Sequence, residues 1–294
     1  MESARSFITI SRSYMCDLKV PLKYSGLISD YKLKIIHQKG EELDRCADFD
    51  CASCEVVFSG ALYNYMANAL RAVEGEEFVL ADNSAKKYYR IRVKAAGKKK
   101  ITAGFEALEI ENDIQKKEYN CFIAVLKGAA GEEAVERLTE LGADSIFFFR
   151  SRYSQCDLSA EKIERYEKIA MAASSQSRRL SAPAVGKIEF ASLREKLAAP
   201  ASYTLLLAEP SLCSGMAGFK TAGADFYEAV IKDPAAAVNI VSGPEGGFEP
   251  GEAESILRTK GANVHILSFK NMVLRAQFAP QAALAVIKNG CGDM

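Results

Sequence analysis

Neither charge sign dominates this chain: 38 Lys and Arg balance 38 Asp and Glu over 294 residues. A surface for a polyanion must therefore be a local patch, because bulk charge cannot supply it. No apolar run approaches the ~20 residues needed to span a bilayer, so no membrane segment is expected. Met1-Glu2-Ser3-Ala4-Arg5-Ser6 leads into no long apolar stretch, so a secretory signal is not expected and a cytoplasmic location is. The eight cysteines are scattered singly except for Cys46, Cys51 and Cys54, a pattern of reduced thiols and not a disulfide framework. Cys51-x-x-Cys54 has the spacing of half a zinc site. It lacks a second Cys/His pair, only His37 is near, and no metal is expected. Hydrophobic residues, at 49%, are ample for a sizeable core in one large or two ordinary domains.

One stretch stands out, Val238-Asn239-Ile240-Val241-Ser242-Gly243-Pro244-Glu245-Gly246-Gly247-Phe248. Its β-branched start reads as a buried strand. Gly246 and Gly247 allow positive φ and close approach to the backbone. Glu249-Pro250 opens a helix. In open α/β sheets, ligands sit at the carboxyl ends of such strands. There is no Gly-Lys-Ser/Thr and no Gly-x-Gly-x-x-Gly here, which excludes a nucleotide P-loop and the dinucleotide fingerprint. A plain βα turn with no ligand remains the bland alternative.

Gly243-Pro244-Glu245-Gly246-Gly247-Phe248, followed by a helix, a strand and Val273-Leu274-Arg275, resembles the ribosomal RNA small-subunit methyltransferase E family of the SPOUT superfamily. Two further stretches agree in order and spacing: Leu138-Thr139-Glu140-Leu141-Gly142-Ala143, and Gln176-Ser177 with Arg179 and Pro183 behind. The resemblance covers residues 54 to 288. It implies an α/β fold of SPOUT type, a parallel sheet with a C-terminal trefoil knot, preceded by a small PUA-like β-barrel domain. It further implies a homodimer, S-adenosyl-L-methionine as cofactor, and 16S ribosomal RNA or the assembled small subunit as partner. The reaction it implies is methylation of N3 of a uridine.

Residues 1–53 read as an N-terminal extension of unclear structure, with possible strands at Phe7–Ile10 and Leu33–Ile36. Residues 54–115 read as the small β domain, with a short helix from Tyr63 to Ala72. Tyr89, Ile91 and Val93 alternate with Arg90, Arg92 and Lys94, the period of a half-buried strand. Eight of the fifteen residues from Lys86 to Lys100 are Lys or Arg. Lys86, Lys87, Arg90, Arg92 and Lys94 are thus candidates for phosphate contact, or else a solvated edge whose charges discourage strand pairing. Glu111 to Glu118 reads as the linker. From residue 119 to 294, strands alternate with helices, which implies a parallel sheet. Ser159 is the expected N-cap of a long helix running to about Ser177.

In the resembling family the methyl donor lies among three loops. They follow the strands ending at Leu207, Ser242 and Leu267. The expected cofactor residues are Ala208, Glu209, Gly243, Pro244, Glu245, Gly246, Gly247, Leu267, Val273 and Leu274. Arg275 and Arg179 are the candidate catalytic residues, each offering a permanent charge and a planar fork. Arg150 and Gln176 join the RNA candidates. His265, inside an apolar strand, reads as a satisfied core histidine.

The family usually continues Leu-Gly, then Arg-Ile-Leu-Arg-Thr-Glu-Thr-Ala. This chain has Phe269-Lys270, then Met272-Val273-Leu274-Arg275-Ala276-Gln277-Phe278-Ala279. Gln277 removes a negative charge near a cationic ligand, and Lys270 adds a side chain where backbone was accessible. Two function classes stay open: an active rRNA methyltransferase, favoured by the intact glycine turn, and a catalytically weakened RNA-binding relative, favoured by the altered 269–278 segment.

Overall fold

The computed structural model describes residues 20–22, 34–110, 117–208, 219–269 and 272–293. The expected strand at Phe7–Ile10 lies outside them. The chain divides into two compact units at Glu111/Asn112, where the polar linker is expected.

The first unit carries β1 (Val20–Leu22), β2 (Lys34–Gln38), β3 (Ala47–Asp50), β4 (Glu55–Phe58), β5 (Glu77–Asp82), β6 (Lys87–Ala96) and β7 (Ile101–Ile110). They form one sheet in the order β2-β5-β6-β7-β4-β3, with β1 also on β7. The strand pattern of β6 is the expected one: Tyr89, Ile91 and Val93 are buried and the basic residues between them face away. Helices α1 (Gly40–Cys46) and α2 (Gly60–Asn64) accompany the sheet, and α2 continues as a π-helical turn over Tyr65–Ala69. Met66 of that turn joins Phe58, Phe78 and Ile91 in the core.

Two expectations change here. Residues 34–53, set apart in the sequence as an extension, belong to this sheet: β2 pairs with β5 and β3 with β4. The strand expected at Leu33–Ile36 is present as β2, with Ile35 and Ile36 buried; its local pattern gives no sign of the partner strand. Among the described residues the path ends, β2 and β3, do not pair with each other. The described strands form an open seven-stranded sheet, not the closed barrel that the resemblance implies.

The second unit is α/β. Its strands are β8 (Glu118–Ala124), β9 (Ser145–Phe149), β10 (Ala184–Lys187), β11 (Ser202–Leu207), β12 (Ala237–Ser242) and β13 (Asn263–Leu267). All pair in parallel, in the order β10-β9-β8-β12-β11-β13. Its helices are α3 (Ala130–Glu140), α4 (Ala160–Gln176), α5 (Phe190–Leu197), α6 (Ala224–Lys232), α7 (Pro250–Leu257) and α8 (Ala279–Cys291). The Ser159 hydroxyl accepts from the Lys162 N–H and starts α4 as expected, a cap worth about 1 kcal/mol.

Both sheet faces are covered, so its strands are apolar on both sides. Tyr119, Cys121 and Ile123 of β8 face one core with Leu205, Ile240 and Leu284. Phe122 and Ala124 face the other with Leu206, Val241 and Ile256. Each buried side chain of this size contributes about 1.5–3 kcal/mol. Near the amino ends of the strands the second face turns polar: Ser145 donates to Asn120, Asn120 to Asn239, and Asn239 to Ser202. These buried groups satisfy one another, as burial requires.

Candidate active site

Register builds the site. Leu207 is opposite both Ser242 and Leu267, so β11, β12 and β13 end level with one another. The three loops that follow leave the sheet side by side at its carboxyl edge. Between them lies a cavity of about 620 Å³. Ala208 lines it from the first loop, Gly243 to Gly247 from the second, and Leu267, Val273, Leu274 and Arg275 from the third. These are the residues the sequence singles out. Glu209 lies outside the described residues. Phe269 and Met272, inside the expected stretch from Leu267 to Arg275, line it too, and so does Gln277, which stands out in the sequence only as a departure.

The glycine turn is built for close packing. Gly247 has φ +72°, a left-handed conformation that glycine adopts without strain, and its N–H donates to the Pro244 carbonyl at 2.9 Å. A Cβ on Gly243 would sit 3.1 Å from the Phe248 ring, which is stacked on Phe149 in the core. Gly246 is less confined, with its Cβ position 3.4 Å from Tyr153 Cβ. Among the described residues the N–H groups of Gly246, Val273 and Leu274 have no backbone acceptor, so the cavity wall keeps hydrogen-bonding capacity.

Glu245 does not stand free in the cavity: its Oε1 accepts the Lys127 N–H at 2.8 Å and ties the turn to the loop after β8. Arg275 is exposed at the cavity wall. Its carbonyl accepts the N–H groups of Phe278 and Ala279, each at 2.9 Å, which fixes the backbone just before α8. Gln277 is 3.4 Å from Glu133 Oε2 of α3.

Arg179 does not join this cluster. Its Nη1 donates to the Thr139 carbonyl at 2.7 Å, and Nη2 lies 3.9 Å from Asp144. Thr139 is in the last turn of α3 and Asp144 precedes β9, so Arg179 sits at the amino edge of the sheet. There it satisfies a helix-terminal carbonyl. Gln176 is the last residue of α4, at the same far edge, and the neighbouring Ser177 hydroxyl donates back to Ala173. Arg150 is at the correct edge, after β9, paired with Asp157 at 3.2 Å.

In the first unit, Arg92 is hydrogen-bonded to Glu77 and Lys94 to Glu55. β6 is a central strand and not a free edge: Arg92 faces Glu77 in register on β5, and Lys94 reaches over β7 at Gly104 to Glu55 of β4. Arg90 pairs in register with Val79 and Glu106. Lys86 and Lys87 are exposed at the start of the strand. Part of the basic face is therefore neutralised, which sequence spacing alone could not reveal.

His265 has Nδ1 3.3 Å from the Thr221 carbonyl and Nε2 3.0 Å from the Asn263 side chain. Burial holds its pKa below the ordinary value. The expected satisfied core histidine is what the fold contains.

In the loop after β9 the sequence singles out Arg150 and none of the residues that follow it. Ser151 donates to Glu252 at 2.8 Å and the Arg152 N–H to the same carboxylate at 2.7 Å. Glu252 also forms the capping box of α7 with Glu249. The loop is thereby fastened beside the glycine turn, and it presents Arg152 and Tyr153 outward. No short-range pattern in the sequence links residue 152 to residue 252.

A family model described as an RNA methyltransferase domain matches residues 114–288. Ribosomal RNA small subunit methyltransferase E of Synechocystis is 28% identical over 234 residues, 79% of this chain and 72% of that protein. The Neisseria gonorrhoeae enzyme of the same name, solved bound to S-adenosyl methionine, superposes with TM-score 0.65 at 20% identity, covering 87% of this chain and 97% of that one. A probable rRNA-methyltransferase from Porphyromonas gingivalis gives TM-score 0.66 at 22% identity, over 88% and 99%. The level ends of β11, β12 and β13, the glycine turn between them and the family match over most of the α/β unit lead to one conclusion: the chain belongs to the RNA methyltransferase domain family.

Proposed function

We propose that the chain transfers a methyl group from S-adenosylmethionine to N3 of a uridine in 16S ribosomal RNA. The observation that carries this is the cavity built by three level strand ends in a chain of this family. Its volume falls inside the range of ordinary small-molecule sites, about 300–1,000 Å³. Its walls suit a nucleoside-sized cofactor: Leu267, Phe269 and Leu274 are apolar, and the glycine turn offers backbone amides. When bound, S-adenosylmethionine supplies a methyl on a cationic sulfonium. Gly246 and Gly247 admit it against the backbone, and the fixed loops hold donor and acceptor in line. The uracil N3 proton passes to water before N3 takes the methyl, and the electrons of the broken C–S bond stay with sulfur. The exposed Arg275 guanidinium favours the N3 anion that forms first.

Lys86, Lys87, Arg90, Arg92 and Lys94 hold RNA phosphates in this reading, with Arg150 at the carboxyl edge of the α/β sheet. Exposed Ile231 and Val286, on the packed helices α6 and α8, suit a second copy in a homodimer. β13 lies outside β11 while α8 returns over β8 and β12, which supports a trefoil knot. The place of action is the cytoplasm, with 16S rRNA or the assembled small subunit as partner.

The test has two arms. Calorimetry measures S-adenosylmethionine binding to the purified chain. Transfer to naked 16S rRNA and to assembled small subunits is then followed by mapping N3-methyluridine. No donor binding together with no transfer to either substrate overturns the reading.

A further inference from the structure

A shallow depression, open to solvent, adjoins the first cavity. It is lined by Arg152, Tyr153, Ser154, Gln155 and Gly246. Gly246 also lines the larger cavity, so the two share one wall, the glycine turn. Tyr153 is 45% exposed. Its backbone is nonetheless held firmly. Ser151 and Ser154 on either side are buried. Each bonds the other: the Ser154 N–H donates to the Ser151 carbonyl, and the Ser151 N–H to the Ser154 hydroxyl. Glu252 fastens the whole loop. Arg150 is committed to Asp157, whereas among the described residues the Arg152 guanidinium has no carboxylate partner.

An exposed ring on a rigid loop, beside an unpaired guanidinium, is the arrangement that takes a single-stranded nucleotide. The ring stacks on the base and the cation meets a phosphate. The anchoring matters, because a platform already ordered loses little entropy on binding. We infer that Tyr153 and Arg152 form a nucleotide subsite that stacks a base of the RNA acceptor strand beside the cofactor cavity. This rests on the proposed methyl transfer for its biological meaning but not for its geometry. Tyr153 is a positioning residue here and takes no part in the chemistry.

The chain contains no tryptophan, so Tyr153→Trp introduces a single fluorescent reporter at the platform. Titration with oligouridylate should quench its emission. A ribose-phosphate oligomer of equal length without bases should not. In parallel, Tyr153→Ala should weaken oligouridylate binding by roughly 5- to 150-fold, the worth of one base–aromatic stack, while Tyr153→Phe keeps it. Donor affinity should be the same in all variants. Absence of quenching, or equal quenching by the base-free oligomer, overturns the subsite. Loss of donor binding by the parent chain leaves the quenching result standing and counts against the proposed function instead, so the two failures are distinguishable.

Discussion

Arg179 allows the clearest separation of a structural from a chemical role. The side chain is 13% exposed, donates to the Thr139 carbonyl at 2.7 Å and lies 3.9 Å from Asp144. In Arg179→Met the stem packing is largely kept and the charge is lost. A hydrogen bond from a charged donor contributes about 1.5–3 kcal/mol. The Thr139 carbonyl keeps its second donor, the Gly142 N–H at 3.0 Å, and Asp144 keeps the Tyr119 N–H at 3.0 Å. Neither Thr139 nor Asp144 is stranded, and the ion pair is too long to add much. The loss should therefore fall in the lower half, about 2 kcal/mol. For a domain of this size that lowers the melting temperature by about 4–8 °C. Below the transition, kcat for methyl transfer should stay within about twofold, because the site is at the other edge of the sheet. The assay is differential scanning calorimetry of the full chain beside single-turnover transfer to small subunits. An unchanged melting temperature with transfer abolished would refute the reasoning and return Arg179 to the catalytic residues.

Gly246→Val puts a branched side chain on the turn that walls the cofactor cavity, with the new Cβ 3.4 Å from Tyr153 Cβ and within 4.0 Å of its ring. The fold should hold while donor affinity drops at least tenfold, about 1.4 kcal/mol; parent-like affinity by calorimetry would place the pocket elsewhere. Changing Arg90, Arg92 and Lys94 together to Ser should flatten the salt dependence of RNA binding by about one unit of slope per lost phosphate contact. An unaltered slope would assign Arg92 and Lys94 wholly to their Glu77 and Glu55 pairs. His265 has a folded pKa depressed below 6.5 by burial. The unfolded chain then binds more protons, so the contribution of His265 is full above pH 6.5 and is lost as pH falls through the folded pKa. His265→Gln should reduce that acid-side loss in denaturant titrations at a series of pH values, and an unchanged pH slope would show that other groups carry it.

Legibility followed the length over which a signal acts. The glycine turn, the Ser159 cap and the alternation in β6 are local: a few neighbouring residues decide them, and the structure agrees. The convergence of the Leu207, Ser242 and Leu267 loops is not local, and its anticipation came from family resemblance. β10, with only four residues, and the short α5 carry too few periods to be read. Arg179 looked like a site residue because its motif is near others in sequence, but helix α4 carries it from one sheet edge to the other. The Ser151–Glu252 contact joins residues a hundred positions apart. Nothing in either segment alone announces it. Arg92 and Lys94 formed a basic run in sequence, and only strand pairing shows that carboxylates lie across from them.

The altered 269–278 segment can now be weighed in atoms. In the sequence Gln277 removes a negative charge near a cationic ligand, and Glu245 is a carboxylate in the same cavity wall. Glu245 has a structural task, holding the Lys127 N–H at 2.8 Å, although accepting a hydrogen bond leaves its charge in place beside the cavity. The closer substitute is Glu133. Its Oε2 lies 3.4 Å from the Gln277 amide nitrogen, so α3 delivers a carboxylate directly behind the residue that lost one. A glutamate at 277 would meet that carboxylate at similar distance, and like charges so placed repel by about 1 kcal/mol or more at a protein surface. Neutral Gln277 and charged Glu133 are thus a consistent pair: the negative charge has moved by one side chain and has not disappeared. Glu133 stands in the first turn of α3, where a carboxylate is favourable whatever the chain does, so the pair keeps negative charge beside the segment under either function class, and donor affinity of the parent chain decides between them.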